Sequence, residues 1–138
     1  MPASGINGKI GDALEGHLVA FVTDRALPVY WLNKTGPSPT PPTYLETSLT
    51  RNNTRPTAFR TDTLKGLFQI SVRSPLGVGN NPADEIADAL VTLYARGTWI
   101  TRDGITVRVA NSWAAGPFKD DTRWHVPVIV DWFVQNNL

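Results

Sequence analysis

Apolar residues at Ile6, Ile10, Leu14, Leu18 and Phe21 recur close to a 3.6-residue period, with Ala13 and His17 alongside. Lys9, Asp12 and Glu15 take the other sides, so the spacing predicts an amphipathic helix whose first turn is capped by the Ser4 hydroxyl. Gly5, Gly8, Gly11 and Gly16 each weaken such a helix by up to ~1 kcal/mol relative to alanine, which leaves tertiary packing to hold it. Val29-Tyr30-Trp31-Leu32 follows as a short strand rich in β-formers, and the proline-rich run from Lys34 to Pro42 as an extended crossing loop. Between Thr43 and Thr50, Tyr44, Glu46 and Ser48 oppose Leu45, Thr47 and Leu49, the alternation of a half-buried strand. Leu64 to Val72 alternates again: Leu64, Phe68, Ile70 and Val72 point inward, and Lys65, Gln69, Ser71 and Arg73 outward. Gly66 interrupts the inward set, which marks a bulge or a close backbone approach, and Leu67 falls on the outward side. The two strands are expected to pair as a long hairpin whose tip carries Arg51, Arg55 and Arg60.

A second helix is predicted from Asn81 as N-cap, Pro82 at the first helical position, and Asp84 and Glu85 facing the positive end of the helix dipole. Ile86, Leu90, Leu93 and Tyr94 supply its buried stripe, and Gly97 ends it. Trp99 to Thr101 and Ile105 to Ala110 flank Arg102-Asp103-Gly104, where Asp-Gly suits the positive φ values of a tight hairpin turn. Asn111 to Phe118, broken by Gly116 and Pro117, is expected as a loop. Trp124 to Phe133 forms the last strand, and Pro127 within it predicts an edge position or a bulge. This order of elements gives an α+β fold: a single domain over 1–138, with a mixed, mostly antiparallel sheet and two main helices packed on one face.

Composition narrows the chemistry. A chain of 138 residues fits one domain, and 13 Lys+Arg against 12 Asp+Glu give a formal net charge of +1, unlike a dedicated nucleic-acid binder. With no cysteine, disulfides, thiol catalysis and thiolate metal sites are excluded. No apolar run approaches the roughly 18 residues of a membrane span, and the N-terminus lacks the regions of a signal peptide, so folding in a cytoplasm is expected.

Candidate chemistry is sparse. His17 and His125 have no acid at a recognisable spacing and belong to no HExxH or HxH motif. Asp120-Asp121 suits a solvated turn, while helix position accounts for Asp84 and Asp88. Gly77-Val78-Gly79-Asn80-Asn81 lacks the ending of a P-loop and the third glycine of a dinucleotide fingerprint. No catalytic set, cofactor or metal is expected. Of the tryptophans at 31, 99, 113, 124 and 132, Trp124 and Trp132 share a parity with three valines and suit a core face better than a carbohydrate platform. Trp113 and Phe118, in the expected loop, are covered either by the chain's own core or by an adjacent subunit. Arg51, Arg55 and Arg60 have no evident acidic partner within the chain, and their planar forks suit carboxylates on another protein.

The ordered set of motifs has a specific likeness. Val29-Tyr30-Trp31-Leu32-Asn33 after a helix, the proline-rich stretch, Thr43-Tyr44-Leu45-Glu46, Gly66 to Val72, the glycine-asparagine loop, Pro82-Ala83-Asp84 and Trp124 before Val126-Pro127-Val128 together resemble the phage tail terminator-like family, from about residue 5 to 134. The resemblance implies a mixed sheet flanked by helices and structural work without catalysis or cofactor. It implies a homo-hexameric ring that caps the head-proximal end of a tail tube, stops tube polymerisation and meets head-completion or neck proteins. DNA would only pass through its lumen, no membrane would be involved, and the protein would reside in the virion after assembly in the host cytoplasm. The expected subunit or tube interface comprises Arg51, Arg55, Arg60, Trp113 and Phe118. The alternatives are a neck or head-closure protein of the same virion and, in another class, a carbohydrate-binding module. A small hydrolase is disfavoured by the scarcity of His–acid pairs.

Overall fold

The computed structural model describes residues 5–31, 42–51, 55–58, 61–77, 79, 81–119 and 123–137, with the backbone alone for 55–58, 61–62 and 136–137. The order of elements is α1 (Ile6–Arg25), β1 (Val29–Tyr30), β2 (Tyr44–Arg51), β3 (Arg55–Ala58), β4 (Thr61–Pro75), α2 (Asn81–Leu93), β5 (Trp99–Arg102), β6 (Ile105–Ala114), β7 (Phe118–Lys119) and β8 (Arg123–Asn137). The sheet runs β1-β2-β4-β8-β6-β5, with β3 on β4 and β7 on β8. Among the described strands only the β1–β2 pair is parallel. The fold is the expected α+β arrangement, mostly strand, with both helices packed on the sheet.

The spine is the pair β4–β8, which holds register from Thr61↔Asn137 to Pro75↔Arg123. At roughly 3.4 Å per residue such a ribbon is about 50 Å long. Its inward parity is Phe68, Ile70 and Val72 on β4 and Val126, Val128, Val130 and Trp132 on β8, each at most 1% exposed. Leu45 on β2, Val107 and Val109 on β6, and Ile10, Leu14 and Leu18 on α1 complete one continuous core with Ala83, Ala87 and Leu90 of α2.

Several local expectations change. Gly5 stands at the N-cap of α1 without a side-chain cap, and Ser4 lies outside the described residues. The helix continues past Phe21 to Arg25 and closes through Ala26 in the left-handed region. Register is regular at Gly66, so the glycine there serves a close approach and not a bulge. Pro127 lies in the central strand β8 and not at an edge. Its carbonyl accepts from Ala115 N at 2.8 Å, which turns the side lacking an N–H toward the break between β6 and β7. The Asp103-Gly104 turn does adopt positive φ at both residues, 53° and 82°. The proline-rich stretch up to 41, Asp120 and Asp121 lie outside the described residues.

Tyr94 ties the two helices together. It is fully buried after the last turn of α2, and its hydroxyl donates to the Leu14 carbonyl of α1 at 2.6 Å. His17 meets its ring edge-on at 5.0 Å and donates from Nε2 to Leu93 O at 2.9 Å. Burial, and secondarily the charge of Glu15, push the Tyr94 phenol above its ordinary range. In the unfolded chain a tyrosine titrates near pH ~10, so this contribution is intact below that pH and is lost as pH rises above it. Tyr94→Phe is expected to cost about 1–3 kcal/mol at neutral pH and to lessen the alkaline loss of stability, as read by urea melts from about pH 7 to 11.

Candidate functional site

The sheet's outer side is where exposed aromatic and cationic side chains collect. Register places its outward residues in rows that cross the strands. Lys65, Phe133, Arg108 and Trp99 make one row, and Thr50, Leu67, Asp131 and Asn111 the next. Ser48, Gln69, Ile129 and Trp113 follow, while Tyr44, Arg73, His125 and Phe118 cross the far end. Trp99 is 64% exposed, Phe118 53%, Trp113 39% and Leu67 38%. The buried residues of both helices pack into the core formed by the inward residues of the sheet, on the other side from these rows.

Cation–ring contacts hold the surface in shape. The Arg108 guanidinium lies 4.4 Å from the Trp99 ring centre, while Arg73 and Arg123 sit 6.0 and 5.5 Å from that of Tyr44. Arg73 also pairs with Glu46 at 2.9 Å, and Phe118 stacks nearly parallel on His125 at 4.8 Å. Among the described side chains the outward cations are thus Lys65, Arg73, Arg108 and Arg123, against the carboxylates Glu46 and Asp131.

On the opposite side of the core, α2 turns Ala83, Ala87 and Leu90 inward. Helical geometry then directs Asn81, Glu85, Asp88 and Thr92 away from the sheet, and all four are exposed. The helix holds Asp84, Glu85 and Asp88 and no basic residue.

The five residues expected at an interface separate into two places. Arg51 ends β2 with its side chain exposed, Arg55 begins β3, and Arg60 lies outside the described residues. Trp113 is not in a loop: β6 runs on to Ala114, and Trp113 pairs with Ile129 of β8. A shift of register between Val109 and Asn111 makes this continuation work. Strict alternation after Val107 and Val109 would turn Asn111 and Trp113 into the core; the extra residue turns both outward. Phe118 opens the short β7. Sequence reasoning missed Trp99 as part of this surface, although its place opposite Ile100 in the pleat carried the signal.

A cleft of about 470 Å³ between α1 and β5 exposes Asp12, Glu15, Arg102 and Trp31, but neither histidine. His17 is engaged with Leu93 and Tyr94, and His125 is buried under Phe118. Among the described residues no three His, Asp or Glu side chains gather as a metal site, and no helix is long and apolar enough to cross a membrane.

Comparison with known proteins gives this surface a context. A family model described as phage tail terminator protein matches residues 9–132. No curated protein matches the chain. A solved structure that carries no functional name is similar over 94% of this chain and 96% of its own, with 28% identity and a TM-score of 0.80.

Proposed function

We propose, since the chain belongs to the phage tail terminator family, that its copies close into a hexameric ring on the head-proximal end of the tail tube, stop tube growth there and present a surface to head-completion proteins. Membership makes it a structural protein of a phage tail, in a family that is not an enzyme class. The observation that carries the proposal is the family match across 9–132, nearly the whole length. Two chemically different faces on opposite sides of one core support it, because a ring made by one repeated contact needs two unlike patches on each subunit. DNA passes through the lumen of such a ring without being held, and the finished protein resides in the virion.

Native mass spectrometry, run on the protein alone and with the tube protein, tests the reading. A hexamer in either condition is expected; a strict monomer in both overturns it. In this reading Arg51, Arg55 and Arg60 contact a neighbouring subunit or the tube. Replacing all three by Ala is expected to leave the melting temperature of the subunit nearly unchanged while weakening ring formation or tail capping. Unaltered assembly removes them from the interface.

A further inference from the structure

We infer that the acidic outer side of α2 in one copy seats on the basic, aromatic outer side of the sheet in the next copy. This rests on the ring reading above and adds to it which two faces meet.

The helix supplies the first half of the argument. Glu85 and Asp88 are three residues apart on the exposed side, where like charges repel, and the last turn has no basic residue to offset the negative pole of the helix. Within the subunit this arrangement is mildly unfavourable. A cationic surface laid against it reverses the sign of both effects.

The sheet supplies the second half. Arg73 is committed to a carboxylate, Glu46, whereas Arg108 lies over the Trp99 ring and with Lys65 flanks Phe133 in one row, the two cations two strand spacings apart, which is roughly 10 Å. Exposed Leu67 lies in the adjoining row and Trp113 in the one after it, and both offer apolar area of the kind that anchors protein contacts. Like faces pair less well: sheet against sheet sets mostly cations on cations, with Asp131 and the already paired Glu46 as the carboxylates to offset them, and α2 against α2 sets carboxylates on carboxylates. The complementary pairing is therefore head-to-tail, with each copy offering one face and receiving on the other.

Charge exchange provides the test. Three variants are compared with the wild type by native mass spectrometry and sedimentation, alone and with the tube protein: Glu85→Lys with Asp88→Lys, Lys65→Glu with Arg108→Glu, and all four changes in one chain. Each pair is expected to lower the assembled fraction about tenfold at low salt, with a smaller effect as salt screens the contact. The fourfold variant is expected to regain most of the assembly. Circular dichroism melts confirm that each variant folds; a pair that does not fold is replaced by the single changes Asp88→Lys and Lys65→Glu.

If the wild type assembles and either folded pair assembles equally well, the docking of these two faces is overturned while the ring stands. Folded pairs that fail, with no recovery in the fourfold variant, also overturn it. So does loss of salt-dependent DNA binding in Lys65→Glu with Arg108→Glu when assembly is unchanged, which assigns the cations to nucleic acid. A wild type that stays monomeric in both conditions overturns the ring reading and this inference together.

Discussion

Gly66→Ala is expected to destabilise the subunit by about 3 kcal/mol or more, at the upper end of what overpacking a core costs. The residue lies between Arg51 of β2 and Trp132 of β8 in the middle of the sheet. A methyl group there would overlap the Thr50 carbonyl and stand 2.9 Å from Cζ2 of the Trp132 indole. Neither neighbour is free to yield, since one is backbone in a ladder and the other a ring that is 1% exposed. For a chain of this length the melting temperature should fall by roughly 10 °C. Gly11→Ala is the matched control: its methyl would meet only Leu49 Cδ2 at 3.9 Å, an ordinary contact. Inside α1 that change should add up to ~1 kcal/mol of stability. Urea melts of the two variants, followed by circular dichroism, should therefore move in opposite directions. Two small shifts of the same sign would mean that Gly66 is not fixed by its neighbours.

Where a side chain's alternation and its burial agree, the fold was legible in the residues. Leu45, Phe68, Ile70 and Val72 sit on the inward parity of β2 and β4 as their spacing predicts, and Asp103-Gly104 turns the β5–β6 hairpin. Legibility failed where a partner strand decides. Pro127 breaks the local rule for a central strand, and only the gap between β6 and β7 removes the cost of its missing donor. The extra residue beyond Val109 likewise has no local signature, so the strand carrying Trp113 looked like the start of a loop. The candidate surface was harder still. Leu67 was outward in the sequence pattern, but its neighbours Asp131 and Asn111, and the Trp113 row beside them, are distant along the chain and meet only through register. An interaction surface made by cross-strand rows is a property of pairing, and pairing is not written in any one segment.

Two tryptophans on opposite sides of the same sheet should behave in opposite ways. Trp132 is 1% exposed, pairs with Gly66 and Val109 across the strands, and fills the space that the glycine leaves. Trp132→Ala is expected to cost about 3–5 kcal/mol of subunit stability, because the indole contacts vanish and the cavity is walled by strands that cannot collapse. Assembly would fall only as a consequence of unfolding. Trp113 makes its cross-strand pair with Ile129 on the outer side and keeps 39% of its surface exposed. About three-fifths of Trp113 is already covered in the subunit and the rest stands in water, so Trp113→Ala should cost about 1–2 kcal/mol, clearly less than Trp132→Ala. If the outer face is covered in the ring, that same variant should weaken assembly several-fold, as central aromatic anchors do. The measurement is a pair of readouts for each variant, the melting temperature of the dissociated subunit and the assembled fraction at fixed concentration. A Trp113→Ala protein that melts several degrees lower but assembles normally would return this residue to the fold and take it out of the interface.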